Sequence, residues 1–158
     1  MEKPRGRGRV EELSLAEAAS HLLQECRMVL PGIQTLFGFQ LIAFFNQGFD
    51  EKLTHPEQLL HLAATLLSVL AMSLVMAPAA LHRVAEVRQV SERFVWLASR
   101  LLLLGMLPLA SGIALDAYLV ARIVLEDRWL GAAAAALLVA GFAGLWVVLP
   151  ARHRSRAP

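Results

Sequence analysis

The sequence predicts an all-α polytopic membrane protein with four transmembrane helices, and two observations carry that prediction. The 158-residue chain is 57% hydrophobic and only 18% charged, whereas soluble domains average about 45–50% apolar and about 25% charged residues. The apolar residues also form long runs, and a run of about 20 residues matches the hydrocarbon thickness of a bilayer. The chain is therefore expected to form one membrane domain.

Four apolar runs predict the spans, which together make up residues 29–149. They lie at residues 29–49, 57–78, 94–120 and 129–149. The fourth run contains no charge, and Trp129 and Trp146 near its ends suit the two headgroup interfaces.

The flanking segments are more polar. Residues 1–13 read as a flexible basic arm, and residues 150–158 as a basic cytoplasmic tail. Between the arm and the first span, residues 14–28 predict a cytoplasmic amphipathic helix that lies in the interface or packs beneath the bundle. Ser14 and Glu17 have the spacing of a capping box that opens this helix.

The placement of basic residues predicts the orientation. All of the 15 lysines and arginines except Lys52, Arg122 and Arg128 lie on one side of the four spans. The positive-inside rule then places the N terminus, the central loop and the C terminus in the cytoplasm.

Prolines and glycines interrupt three of the spans. Pro31, Gly32 and Gly38 lie in the first, Pro78 lies at the inner end of the second, and Pro108 lies in the third. Because proline removes a backbone donor, a kink or a helix start is expected at Pro31 and a bend near Pro108.

The fourth span carries a stripe of small residues. Ala132, Ala136, Ala140 and Gly144 recur every four residues, and Gly141 widens the stripe. Small residues let transmembrane helices approach closely. The stripe predicts either packing against another span of the same chain or a contact between copies, and the sequence does not separate these alternatives.

Among the polar residues within the predicted spans, three are candidate functional residues. Asp116 lies about 24 Å beyond Arg100 along an α-helix, which places it near the outer interface. It is a candidate structural partner of Arg122, or a candidate proton or cation site. Gln34 and Gln40 are expected to face the bundle and bond neighbouring helices; lining a hydrated cavity or binding a ligand head group are the alternatives.

A second polar group is expected at the cytoplasmic ends of the helices. Glu25 and Arg27 precede the first span, His82 and Arg83 follow the second, and Arg100 begins the third. A salt bridge from Glu25 to an arginine is the simpler interpretation. A histidine beside a carboxylate also suits a proton relay near neutral pH.

Several functions lack a sequence signal. The sequence contains no glycine-rich phosphate loop, no zinc-protease motif and only one cysteine, Cys26. No nucleophile and base pair is visible, so we expect no enzymatic activity, no metal and no cofactor. Nucleic-acid binding is not expected either, because membrane topology already accounts for the basic residues.

Two motifs carry a resemblance to a known family. Residues 25–41 read ECRMVLPGIQTLFGFQL and residues 77–83 read APAALHR. Over residues 22–148 the chain resembles an uncharacterised bacterial family of small four-span membrane proteins, a domain of unknown function. Leu81 stands where that family usually has an aromatic residue. The resemblance implies a bacterial inner-membrane location, and some family members carry a sodium/proton antiporter label.

The sequence leaves two functions open. The first is a non-catalytic membrane component that packs with a partner protein or with itself. The alternative is a small proton- or cation-coupled transporter or channel that acts as an oligomer, with Gln34 and Gln40 facing a hydrated path. The bilayer and a homo-oligomer or membrane-protein partner are the expected interactions.

Overall fold

The computed structural model describes residues 13–85 and 89–154, and it confirms the all-α prediction. Four helical segments are long and apolar enough to cross a membrane. The helices are α1 (Leu15–Phe44), α2 (Phe49–Lys52), α3 (His55–Ala85), α4 (Glu92–Leu125), α5 (Arg128–Ala143) and α6 (Leu149–Arg154), and a π-helical turn (Gly144–Val148) joins α5 to α6.

The long helices pack antiparallel in chain order. The short connections at residues 45–54 and 126–127 lie together at one end of the bundle, which we call the hairpin end. The opposite end, where α1 and α4 begin, is the terminal end. Helix α3 packs against both α1 and α4, whereas α5 packs on α4.

The central helix α3 buries one continuous seam. Its buried residues are spaced alternately by four and three along the chain, which is the pattern of a coiled-coil seam. The residues with this spacing are Glu57, His61, Ala64, Ser68, Ala71, Val75 and Pro78, and Thr65, next to Ala64, is buried as well. The hairpin half of this seam is largely polar, and the terminal half is apolar.

Helix α1 buries a narrower line. Its buried residues, Ala19, Cys26, Ile33 and Gln40, recur every seven residues. In the middle of the helix, Cys26 and Ile33 form one apolar cluster with Ala71 and Val75 of α3. Most of the remaining surface of α1 therefore faces outward.

Helix α1 begins where the sequence predicts a helix, but it is not a separate helix from the first span. The segment at residues 14–28 and the first span form one helix, which passes through Pro31 without a break. The helix continues because seam contacts to α3 hold it on both sides of the proline, and because proline in membrane helices is tolerated where neighbouring helices support the backbone. The predicted capping box is present, with the Ser14 hydroxyl accepting from the backbone N–H of Glu17.

The other two prolines also lie within continuous helices. Helix α3 passes through Pro78 and ends only at Ala85, and Pro108 is buried inside α4. Glycines bring α3 and α4 close together: a Cβ at Gly112 would lie 3.1 Å from the carbonyl oxygen of Ala64.

Helix α5 contacts α4 closely near the hairpin end, where a Cβ at Gly131 would lie 3.1 Å from the Tyr118 carbonyl oxygen. Towards the terminal end, an apolar groove of about 370 Å³ separates the two helices. The small-residue stripe does not pack against another span: Ala132, Ala136 and Ala140 are exposed, and Gly144 is half-buried.

Candidate functional site

Three polar side chains from three helices meet inside the bundle near the hairpin end. We call Gln40 on α1, His61 on α3 and Asp116 on α4 the polar centre. The Gln40 amide Nε2 donates to Asp116 Oδ2 at 2.6 Å. Nδ1 of His61 lies 3.3 Å from Asp116 Oδ1, and its Nε2 lies 2.9 Å from the Gln40 backbone oxygen. The carboxylate therefore links all three helices.

The helix seams position these side chains. Gln40 is the last buried residue of the α1 line and is 3% exposed, and His61 on the α3 seam is 7% exposed. Phe44 and Phe49 flank the imidazole, with ring centroids 4.8 and 5.5 Å from it. The ring is thus held between apolar groups on one side and the carboxylate on the other.

Two acceptor oxygens of the polar centre lack a hydrogen-bond partner among the described residues: Gln40 Oε1 and Asp116 Oδ1. Leaving a buried acceptor unpaired costs about 1–3 kcal/mol. The nitrogen that faces Asp116 Oδ1 is Nδ1 of His61, at 3.3 Å. The arrangement is chemically suited to hold a proton or a small cation.

An ion pair between Glu57 of α3 and Arg122 of α4 lies at the hairpin end, one helical turn from His61. The Arg122 guanidinium Nε lies 2.6 Å from Glu57 Oε1, and its Nη1 donates to the Lys52 backbone oxygen at 3.1 Å. The backbone N–H and the hydroxyl of Thr54 both donate to Glu57 Oε2 at 2.8 Å. The expected partnership between Asp116 and Arg122 is therefore wrong, since Glu57 is the carboxylate that binds the arginine.

Gln34 lies on a different side of α1 from Gln40. The expectation that both glutamines face the bundle is correct for Gln40 and wrong for Gln34, which is exposed on the outer surface of the helix. The two residues are six positions apart, which corresponds to a rotation of about 240° on an α-helix. Within the described residues, Gln34 makes no hydrogen bond.

The polar group expected at the terminal end is only partly assembled. Arg27, His82 and Arg83 line one groove between α1 and α3. Glu25 is exposed and forms no ion pair within the described residues, so the expected bridge is absent there. Arg100 lies over the Trp96 ring, 4.2 Å from its centroid.

Sequence reasoning missed His61 and Glu57. The sequence alone singles out neither residue, because each lies close to the start of an apolar run. The available signal was their spacing, since Glu57 and His61 continue towards the hairpin end the four-and-three pattern of Ala64, Ser68 and Ala71. A seam position favours burial even for a polar side chain.

The chain matches the model of one protein family. The model of a family of unknown function, DUF6328, matches residues 13–150. The chain belongs to the DUF6328 family. Neither the curated proteins nor the solved structures give a match. The matched region includes all three residues of the polar centre and ends just after the π-helical turn, so membership of DUF6328 describes the whole four-helix unit.

Proposed function

We propose that this protein is a non-catalytic membrane component that assembles with copies of itself through the outer face of α1. The observation that carries the proposal is the exposure of Gln34. Gln34 lies about 10 Å from Arg27 and about 15 Å from Phe44 along the helix axis. Since the apolar part of α1 lies between those residues, the Gln34 amide is within the hydrocarbon layer of a membrane-embedded chain.

An amide in lipid without a partner is unfavourable. Transfer of an unpaired amide from water to hydrocarbon costs about 4–8 kcal/mol, and glutamine side chains in membrane helices commonly bond across a helix interface. Glutamine carries both donors and an acceptor, so the same side chain on a second copy is a complementary partner. A two-fold contact between copies therefore supplies what the single chain lacks.

The neighbouring surface suits close helix contact. Gly38, one turn after Gln34, has nothing within 4 Å of the position where a Cβ would lie. Helices approach each other closely at such residues. The adjacent hydroxyl of Thr35 donates to the Pro31 carbonyl oxygen at 2.8 Å, so Thr35 is satisfied within its own helix and Gln34 is not.

Measurement of association in lipid vesicles tests this proposal. The chain, labelled separately with donor and acceptor dyes, is reconstituted at increasing protein-to-lipid ratios, and energy transfer between copies is recorded. We expect wild-type protein to associate and Gln34→Leu to weaken association roughly fivefold, because one interhelical hydrogen bond in a membrane contributes about 1 kcal/mol.

Thr35→Val is the matched control, because it removes a neighbouring exposed polar group that is already satisfied. It is expected to associate like the wild type. A wild-type chain that stays monomeric at every density contradicts self-assembly, and equal association of Gln34→Leu and wild type contradicts the role of the α1 face.

The proposed location is a bacterial inner membrane with both termini in the cytoplasm. Its support is the charge distribution: among the described residues, Arg27, Arg83, Arg93 and Arg100 lie towards the terminal end. Cysteine labelling tests it. In a Cys26→Ala background, Asn46→Cys in the α1–α2 connection is expected to react with an impermeant maleimide added to intact cells. Labelling only after lysis contradicts the orientation.

A second candidate function is a small proton- or cation-coupled transporter that acts as an oligomer. The polar centre favours it, because ionisable residues inside a membrane bundle commonly mark ion or proton pathways. The unpaired oxygens Gln40 Oε1 and Asp116 Oδ1 are suited to accept a hydrogen bond from a proton donor or to coordinate a small cation. This function and self-assembly are compatible.

Flux measurement distinguishes the second candidate from the first. Proteoliposomes that contain a pH-sensitive dye are given a sodium or potassium gradient, and proton movement is followed. Transport predicts flux that Asp116→Asn abolishes and that Asp50→Asn, in the exposed α2 helix, retains. No flux from associated wild-type protein counts against transport and leaves the membrane component as the function.

A further inference from the structure

The groove between α1 and α3 at the terminal end combines basic side chains with apolar walls. Its volume is about 560 Å³, and both helices present one face to it. Arg27 and Leu30 contribute from α1, and Val75, Met76, His82 and Arg83 contribute from α3.

The basic and apolar groups occupy different depths of the groove. Along α1, Leu30 lies one turn further into the bundle than Arg27. Along α3, which runs the other way, Val75 and Met76 lie about 10 Å further in than His82 and Arg83. The mouth of the groove is therefore cationic, and its interior is hydrocarbon.

The two arginines have no carboxylate partner in the described part of the chain. The ion pairs there join His61 to Asp116 and Arg122 to Glu57, both near the hairpin end. Arg27 and Arg83 are exposed, so their guanidinium groups are free to bind an anion. Guanidinium groups bind phosphate oxygens through paired N–H donors.

From this arrangement we infer that the groove is a binding site for one anionic phospholipid. The phosphate binds Arg27 and Arg83 at the mouth, and an acyl chain lies along Leu30, Val75 and Met76. A free phosphate would contact only the mouth, so the apolar interior favours a lipid as the source of the phosphate. Basic pockets between transmembrane helices bind anionic headgroups in this manner.

Native mass spectrometry of the full chain in mild detergent tests the inference. Three probes are titrated separately: a two-chain phosphatidylglycerol, the phosphatidylcholine with the same chains, and glycerol 3-phosphate. We expect phosphatidylglycerol to bind tightest. The double variant Arg27→Gln/Arg83→Gln is expected to lose roughly tenfold in affinity for it.

Two further variants test whether lipid binding depends on the groove itself or only on positive charge at the terminal end. Arg93→Gln/Arg100→Gln removes the same charge at the same end but outside the groove, and it is expected to change affinity less than twofold. Ala79 of α3 also lines the groove, so Ala79→Phe fills it without altering charge and is expected to weaken binding as the double arginine variant does.

Three outcomes would overturn the inference. The first is an equal loss of phosphatidylglycerol affinity in the two double arginine variants, and the second is unchanged phosphatidylglycerol affinity in Ala79→Phe. The third is binding of glycerol 3-phosphate as tight as that of phosphatidylglycerol. The last outcome would assign the site to a soluble phosphate. Unfolding curves in detergent identify any variant that fails to fold, and the Ala79→Phe comparison then decides the result, since Ala79 is exposed.

Discussion

Nδ1 of His61 on α3 lies 3.3 Å from Oδ1 of Asp116 on α4, inside the bundle and close to the hairpin end. Gln40 of α1 completes the contact through its side-chain donor and its backbone oxygen. One carboxylate thus fixes the rotation of three helices about their axes. Because Gln40 turns inward at this point, Gln34 turns outward.

The first prediction concerns the strength of the His61–Asp116 contact. A double-mutant cycle with His61→Ala and Asp116→Ala is expected to give a coupling free energy of about 1 kcal/mol, the size measured for polar pairs in membrane helices. Unfolding of the detergent-solubilised protein by sodium dodecyl sulfate provides the free energies. The same cycle with Asp50→Asn in place of Asp116→Ala should show no coupling, and coupling of zero in both cycles contradicts the contact.

The second prediction concerns the Glu57–Arg122 ion pair. Arg122→Gln leaves the Glu57 side chain, which is 11% exposed, without its cation, and it is expected to lower the free energy of unfolding by about 2 kcal/mol. Arg128→Gln removes an exposed charge that lies over Trp129, and a change under about 0.5 kcal/mol is expected. If Arg122→Gln lowers the free energy of unfolding no more than Arg128→Gln does in the same assay, the ion pair does not contribute to stability.

The third prediction concerns the approach of α3 and α4. In Gly112→Ala the new Cβ would lie 3.1 Å from the backbone oxygen of Ala64, so α3 and α4 must shift by a few tenths of an ångström. A loss of about 1–3 kcal/mol in the free energy of unfolding is expected. Gly32→Ala is the control, because nothing lies within 4 Å of that Cβ position. It should be neutral or stabilising by up to about 1 kcal/mol, since alanine favours helix. Similar stability of both variants would argue against the close approach.

The number of spans was predictable because it depends on local properties. Four apolar runs of bilayer length are visible without any knowledge of how the helices pack. The start of α1 at Leu15 was also predictable, whereas its continuity with the first span was not, because seam contacts to α3 support the helix on both sides of Pro31. The capping box at Ser14 and Glu17 was the local signal for that start.

The polar centre was harder to predict because it depends on helix rotation. The composition of the first span does not show which side of α1 faces α3. That choice follows from the seven-residue spacing of Ala19, Cys26, Ile33 and Gln40, and it excludes Gln34 from the same face. The sequence shows Asp116 as an ionisable residue in a span, but its partners Gln40 and His61 lie on other helices, and residue spacing within α4 contains no information about them.

Disulfide cross-linking in native membranes tests the central claim, self-assembly through the outer face of α1, most directly. In a Cys26→Ala background, Gly38→Cys places a thiol on the face that carries Gln34, and Leu66→Cys places one on the exposed surface of α3. If copies pack through α1, mild oxidation gives a covalent dimer with Gly38→Cys. Adding Gln34→Leu to Gly38→Cys reduces the yield of that dimer, and Leu66→Cys gives much less dimer than Gly38→Cys. Equal and low yields from Gly38→Cys and Leu66→Cys, unaffected by Gln34→Leu, would contradict the claim.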